Sequence, residues 1–263
     1  MPETYNQVAF GSFVYDANNA SAGTWREDLQ VRSQVVPVPR SHRALARDGY
    51  LGTRMVAVVG VVEGTSLADL RTQLDAFLAA HMPGHRNLYR DNDRYLVAEV
   101  RRLAIGELDG LLWVPYSVQF EAADPYYYAA TASEDTWLSP ADTGTHVVTT
   151  AGAVTAAPTF AITLAGGGAS LTLTLTNQAP TPDEAFTLTV PAAFGGLLVG
   201  DVLTVDTLNG TVTLTRGGAT TNRRSWLTGT FWELQPGKNT LHLALSGGPT
   251  LASIVTVYRD RWL

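Results

Sequence analysis

The chain has 263 residues, of which 45% are hydrophobic and 16% charged, and its formal net charge is −6. This composition is too apolar for a disordered protein, and the length favours two domains of ~100–200 residues each. The chain contains no cysteine, which excludes disulfides, thiolate nucleophiles and cysteine-based zinc sites. The acidic balance argues against the basic surface that dominates nucleic-acid affinity.

We expect no membrane-spanning helix, because the apolar run at residues 55–62 is far shorter than the ~20 residues that a bilayer requires. The first residues lack the positive segment and long apolar stretch of a secretory signal. Assembly in a cytoplasm is therefore expected.

The first 50 residues contain two extended segments, at residues 8–15 and 28–38. Pro37 and Pro39 predict that the second is an edge strand, since proline cannot donate to a strand ladder. The apolar run at residues 55–62 predicts a buried strand.

A short helix is predicted directly after this strand. Ser66 is a candidate N-cap, Asp69 lies where a capping box has its acidic residue, and Pro83 with Gly84 ends the pattern. Five apolar residues share one helical face, which should lie flat on a sheet: Leu67, Leu70, Leu74, Phe77 and Leu78.

Residues 94–103 and 111–122 are predicted to be paired strands that close the first domain, with residues 106–110 as their turn. One helix among strands indicates an α+β domain. The segment 129–157 is rich in small and polar residues and contains the predicted boundary, which divides the chain into domains at 1–145 and 146–263.

The second domain is predicted to be an antiparallel β-sandwich. Asn209 and Gly210 favour a tight hairpin turn, because both residues accept a positive φ. Several runs alternate at period two, which indicates strands with one buried face: 171–176, 185–190, 201–208 and 240–246.

No combination of histidines and carboxylates forms a convincing catalytic or metal site. His81 and His85 are separated by a helix-breaking Pro-Gly pair, and Asp91 with Asp93 lacks the glycine and distal glutamate of a calcium loop. Asp201 and Asp206 lie five residues apart on a predicted strand, so they should face opposite sides of it.

The glycine-rich segments are predicted to be turns. Residues 166–168 lack the following Lys and hydroxyl residue of a phosphate loop, and residues 236–240 have Asn239 at the hydroxyl position. The common hydrolase signatures are missing from the sequence. We therefore predict no catalytic, metal or cofactor-binding residues, no cofactor and no enzymatic activity.

Some arginines and aromatic residues are candidates for contact with partners. We expect the pairs Arg101–Arg102 and Arg223–Arg224 to be solvated. The tyrosines at residues 124–128 suit either a domain junction or a subunit interface. A basic cluster is either solvated or faces an acidic partner: Arg40, His42, Arg43 and Arg47.

The order of these features resembles the distal tail protein family of long-tailed bacteriophages. In the first domain the matching features are the strand and helix at residues 58–78 and the aromatic strand that ends in Asp-Pro-Tyr at residues 113–128. A glycine-and-proline joint at residues 151–162 follows. Three further motifs and a closing strand match the family's second domain: Gly200–Asp206, Asn209–Gly210, Leu234–Asn239 and residues 254–263.

The resemblance implies a mainly β protein, with an N-terminal α+β belt domain at 1–145 and a galectin-like sandwich at 146–263. It further implies a homohexameric ring at the virion tail tip, assembled in the host bacterial cytoplasm. The ring would join the tail tube protein to the tip hub protein and contact receptor-binding or fibre proteins. DNA would pass through its channel without specific binding, and no membrane would be involved.

An alternative hypothesis is a host-glycan binding module of the tail tip. It depends on the sandwich and on exposed Trp226 and Trp232 as sugar platforms, whereas buried tryptophans would speak for a scaffold. The sugar-binding runs of galectins, H-x-N-x-R and W-x-x-E, do not occur in the sequence.

Overall fold

The computed structural model describes residues 8–15, 20–32, 35–37, 44–46, 50–91, 93–107 and 112–263. The chain forms two compact units, Met1–Ala130 and Thr131–Leu263. The division falls earlier than the predicted boundary at residue 145, because the segment after Thr131 pairs with strands of the second unit. No helix in the described residues is long and apolar enough to cross a membrane.

The first unit is an antiparallel sheet with one helix. Its strands follow the order β2-β1-β7-β8-β9-β6-β3, and β10 pairs with β8. A separate hairpin joins β4 and β5. The elements are β1 (Ala9–Phe10), β2 (Phe13–Val14), β3 (Ala20–Arg32), β4 (Val35–Pro37), β5 (Ala44–Ala46), β6 (Tyr50–Glu63), α1 (Leu67–Ala80), β7 (Arg86–Tyr89), β8 (Arg94–Ile105), β9 (Trp113–Ala122) and β10 (Tyr127–Ala129).

The predicted helix is confirmed, and its N-terminus has the expected cap. The Ser66 hydroxyl accepts a hydrogen bond from the Asp69 backbone nitrogen at 3.1 Å. The Asp69 carboxylate accepts from the Thr65 backbone nitrogen rather than from that of Ser66, so the second half of the capping box is shifted by one residue. A Cβ at Gly64 would lie 2.5 Å from the Leu70 nitrogen, and only glycine permits this close approach.

The buried face of α1 is narrower than the apolar pattern predicts. Leu70 and Phe77 are buried, and the Phe77 ring lies 4.5 Å from the Tyr116 ring on β9. Leu67 is 54% exposed, so its prediction as a core residue was wrong. Leu67 is the first residue of the helix, and the buried face of the helix begins about one turn later, at Leu70.

Two strand predictions in the first unit need correction. Residues 8–15 form a hairpin, β1 and β2, rather than one extended segment, and Gly11 has a φ of 60° at its turn. The segment 28–38 is divided between β3 and β4. Pro39, residues 108–110 of the predicted turn and residue 111 of the predicted strand lie outside the described residues. The pairing of β8 with β9 is confirmed.

The second unit is a two-sheet antiparallel sandwich, as predicted. One sheet has the order β11-β21-β13-β16-β17-β18 and the other β12-β20-β14-β15-β19. The strands are β11 (Ser133–Leu138), β12 (Thr143–Thr150), β13 (Thr159–Leu164), β14 (Leu171–Asn177), β15 (Glu184–Val190), β16 (Val202–Asp206), β17 (Thr211–Arg216), β18 (Ala219–Asn222), β19 (Leu227–Gly229), β20 (Gly237–Ser246) and β21 (Leu251–Tyr258). The last strand, β22 (Arg261–Trp262), belongs to neither sheet of the sandwich.

Alternation along the strands places the core between the two sheets. On β14 the leucines are buried and the threonines between them are not. The Trp232 ring lies 5.1 Å from Phe160 and 5.9 Å from Phe186, so aromatic side chains fill the centre of the sandwich.

The turn at Asn209–Gly210 joins β16 to β17, but it is longer than predicted. Asp206 and Thr211 are the last paired residues, which leaves a four-residue loop. Gly210 has a φ of 63°, whereas Asn209 does not share a positive φ. The Asp206 carboxylate accepts hydrogen bonds from the Asn209 backbone nitrogen and side chain at 3.0 and 2.7 Å, and these contacts replace the two-residue primed turn.

Candidate interaction surfaces

Strand β3 is the edge of the first unit's sheet in the described part of the chain. It has 13 residues and pairs along its length with β6. The side of β3 away from β6 has no strand partner among the described residues. Long edge strands offer unpaired backbone groups to another chain, so β3 is the first candidate interaction surface.

A glutamate-centred network fixes this edge strand. The Glu27 carboxylate accepts hydrogen bonds from Arg54 Nη1, the Tyr127 hydroxyl and Trp25 Nε1, each at 2.6 Å. Arg90 lies 3.5 Å from the same carboxylate. The network joins β3 to β6 and β10 through side chains as well as through the backbone.

The electrostatics of the network favour an ionised Glu27. Burial raises the pKa of Glu27, but hydrogen bonds from Tyr127 and Trp25, together with Arg54, outweigh burial and hold that pKa below its ordinary value. Burial and the neighbouring carboxylate raise the pKa of Tyr127. Arg54 is buried at 4% exposure and its guanidinium lies 4.8 Å from the centre of the Tyr127 ring, so its charge depends on Glu27 for compensation.

An open depression lies on the same sheet, with a volume of about 460 Å³. Its lining includes Arg26 and Asp28 of β3, Met55 and Ala57 of β6, and Gln119 of β9. The lining mixes apolar side chains with charges of both signs, which suits contact with a protein surface.

The three consecutive tyrosines have different roles. Tyr127 is buried and donates to Glu27, as described above. Tyr128 is half-buried and stacks on Tyr95 with ring centres 5.8 Å apart, and Tyr95 lies 5.5 Å from Tyr89. The predicted tyrosine cluster therefore divides into a core residue and a half-buried stack.

In the second unit, a clamp holds a loop with exposed apolar residues. Arg216 Nη2 donates to the Asp201 carboxylate at 2.6 Å and to the Gly196 carbonyl at 2.9 Å. The Asp201 carboxylate also accepts from the Leu198 backbone nitrogen at 2.9 Å. Leu198 and Val199 are 54% and 70% exposed, so the clamp fixes an apolar loop at the surface.

In the basic pairs Arg101, Arg102 and Arg224 are exposed, as predicted, and Arg223 is half-buried. Three of these four arginines also contact other side chains. Arg101 forms ion pairs with Glu121 and Glu99 at 2.5 and 3.0 Å. The Arg223 guanidinium lies 4.8 Å from the Phe194 ring centre, and Arg224 packs similarly over an aromatic ring. The predicted basic cluster lies entirely outside the described residues: Arg40, His42, Arg43 and Arg47.

The remaining polar candidates have structural partners. His81 is buried against Tyr15, while the His85 side chain is 64% exposed. Asp91 accepts backbone hydrogen bonds in a turn. Asp201 and Asp206 hold different loops, at opposite ends of β16. The described residues contain no group of three or more side chains suited to a metal ion.

The tryptophans proposed as sugar platforms are buried. Trp226 is 8% exposed and Trp232 is 2% exposed. Trp232 fills the core between the sheets, and Trp226 packs against Phe194 with ring centres 4.8 Å apart. The expectation that they are exposed was wrong, because the alternating strands leave a central space that only large side chains fill.

The described residues thus define a mainly β protein with an α+β unit and an antiparallel sandwich. No protein-family model matches the sequence, and no curated protein matches it significantly. The structure is similar to the crystal structure of the Dit protein of phage SPP1, a paradigm of the hub adsorption apparatus in phages that infect Gram-positive bacteria. The two share 12% identity over 98% of this chain and 99% of that chain, with a TM-score of 0.76.

Two structures of the phage P2 baseplate in its activated conformation, with Ca and with Sr, also match. Each shares 9% identity, with TM-scores of 0.46 and 0.47. They cover 90% and 98% of this chain and 91% and 92% of those chains. The likeness to Dit confirms the predicted resemblance at the level of the fold.

Proposed function

We propose that this chain is a structural adaptor of a bacteriophage tail tip. In this proposal it forms a homohexameric ring that joins the tail tube to the tip hub or baseplate and leaves a channel for DNA. The observation that carries the proposal is the likeness to SPP1 Dit over 98% of this chain and 99% of that chain. The likeness spans both units in one alignment, so it covers more than a common sandwich.

The ring is proposed to form through the first unit. Its support is the long edge of β3, which has no outer strand partner in the described part of the chain, and the network that holds that edge in place. A contact between two different surfaces of the same chain closes into a ring when the rotation between copies closes. The second unit would then present its loops to other tail proteins.

Light scattering of the purified chain tests the ring. At micromolar concentration the proposal expects the mass of six chains. A variant with Asp28→Pro in β3 should lower that mass, because proline removes a donor and disturbs an edge strand. A monomer at all micromolar concentrations would contradict the proposal.

The channel is proposed to pass DNA without holding it. The chain has a net charge of −6, and an acidic surface releases few counterions on contact with phosphates. A titration with duplex DNA at several salt concentrations should show no tight binding. A submicromolar Kd that weakens steeply with salt would rule this part out.

The alternative of a host-glycan binding module loses the more specific of its two grounds. It depended on the sandwich, which the second unit has, and on exposed Trp226 and Trp232, which are both buried. We therefore retain the adaptor as the proposed function, located in the virion tail tip after assembly in the host cytoplasm.

A further inference from the structure

A buried histidine lies in an aromatic cluster at the C-terminal end of α1. His81 is 3% exposed. Its ring lies 4.2 Å from that of Phe77 and within 6.0 Å of four other aromatic rings. We call this group the His81 cluster; its members are Phe10, Phe13, Tyr15, Phe77, His81 and Phe120.

The hydrogen bonds of His81 define one protonation state. Nδ1 lies 2.7 Å from the Phe77 carbonyl oxygen, which can only accept, so Nδ1 carries the proton. Nε2 lies 2.6 Å from the Tyr15 hydroxyl. In the neutral ring Nε2 is an acceptor, so the Tyr15 hydroxyl donates to it. Both ring nitrogens are thus satisfied when His81 is uncharged.

We propose that the His81–Tyr15 pair is an acid-sensitive latch that holds the N-terminal hairpin of β1 and β2 against the end of α1. Protonation of Nε2 would convert it to a donor, so the Tyr15 hydroxyl would have to accept instead and leave its own proton without an acceptor among the described residues. Tyr15 is fully buried, and the protonated ring beside it would place a positive charge in an aromatic cluster. Opening of the hairpin exposes His81 to water and removes the conflict.

The surroundings of His81 oppose a positive charge. The charged side chain that acts on it is Arg86, which donates to the Ala80 carbonyl and lies 5.6 Å from the Phe10 ring centre. The titratable neighbours are Tyr15, which contacts His81, and Tyr116, whose ring centre lies 6.1 Å from that of Tyr15. Burial lowers the pKa of His81, the Phe77 carbonyl raises it and Arg86 lowers it, with a net direction below the ordinary value of 6.5.

The direction of the pH effect follows from this lowered pKa. The closed hairpin favours neutral His81, so its stability is complete above about pH 6.5, the pKa of the open state. Stability is lost as the pH falls below that value, until the pKa of the closed state is reached. Within this window the open fraction rises about tenfold per pH unit.

The hairpin has short backbone ladders, although its side chains are part of the core. Its strands have two residues each, and β1 pairs with β7 through Ala9 and Phe10. The Gly11 nitrogen also donates to the Asn87 carbonyl at 2.9 Å. Its aromatic side chains Phe10, Phe13 and Tyr15 are buried, so the open form is a rare local excursion, of the kind that hydrogen exchange detects.

Hydrogen exchange of the full-length chain, with amide protection corrected for intrinsic rates, tests the latch. From pH 7.0 to pH 5.0 the protection of residues 8–15 should fall, while that of β14 and β20 in the second unit stays constant. His81→Gln, which cannot titrate, should abolish this pH dependence. His85→Gln, a change at an exposed histidine four residues away, is the matched control and should keep it.

A second variant covers the case in which His81→Gln does not fold. Tyr15→Phe removes the hydrogen bond that stabilises the neutral ring, so the pKa of the closed state rises towards that of the open state, and the loss of protection between pH 7.0 and pH 5.0 should be smaller than in the unmodified chain. Unchanged protection of residues 8–15 at pH 5.0 would overturn the proposal. So would a pH dependence that persists in His81→Gln, or one that is not smaller in Tyr15→Phe.

Discussion

Glu27 holds the edge strand β3 of the first unit against β6 and β10 through its hydrogen bonds to Arg54 and Tyr127. Replacement by glutamine keeps its shape but removes its charge, so Arg54 remains buried without a counter-ion. Loss of a charged hydrogen-bond partner from such a pair costs about 2–3 kcal/mol. We expect Glu27→Gln to lower the free energy of unfolding of the first unit by about this amount in urea titrations followed by hydrogen exchange in β6 and β9.

The same residue gives the first unit a defined pH dependence. Because the folded pKa of Glu27 lies below its ordinary value of 4.5, its contribution is complete above that pH. The contribution is lost as the pH falls through the folded pKa. Glu27→Gln should flatten this part of the profile. Asp28→Asn, at the exposed neighbouring position, is the control; an equal loss of stability in both variants would argue against the network.

At the scale of elements, the cap of α1 is open to a direct test. Ser66→Ala removes the acceptor for the Asp69 nitrogen and should destabilise the first unit by about 1 kcal/mol. Thr72→Ala changes an exposed residue within the same helix and should have an effect within about 0.5 kcal/mol. Thermal unfolding of both variants checks the difference, and equal melting temperatures would show that the cap contributes nothing.

Elements with a local cause could be predicted from the sequence. The Ser66 cap and the apolar spacing of Leu70 and Phe77 are set within one helix, and the alternation of β14 within one strand. Strand β7 was missed because its four residues show no alternation, and its pairing depends on β1 and β8. No local pattern marks it.

The side-chain contacts of Glu27 and His81 could not be predicted either, because they join residues that are far apart in the sequence. Glu27 and Tyr127 are separated by 100 positions, and Tyr15 and His81 by 66. A single sequence contains no signal that joins such residues. Burial of Trp226 and Trp232 likewise depends on how the two sheets close. These features required the structure.

At the scale of the whole molecule, the division of the chain predicts which pieces fold alone. Residues 131–263 include β11 and β12, which pair with β21 and β20 and add Val148 to the core. We expect this piece to be a monomer that melts cooperatively. A piece that begins at residue 150 loses both strands and should not melt cooperatively, because a core face and two strand edges are exposed.

Residues 1–130 are expected to oligomerise alone through β3. Light scattering and circular dichroism melts of the three pieces check both expectations. Cooperative melting of the piece that starts at residue 150 would show that β11 and β12 are dispensable. A ring formed by residues 131–263 would reverse the proposed roles of the two units.

Negative-stain electron microscopy of the purified full-length chain tests the central claim most directly. The account predicts closed rings with sixfold symmetry and a central channel, and it predicts that these rings are lost when Asp28→Pro disrupts β3. Single particles of one chain at micromolar concentration, or rings that persist unchanged in Asp28→Pro, would contradict it.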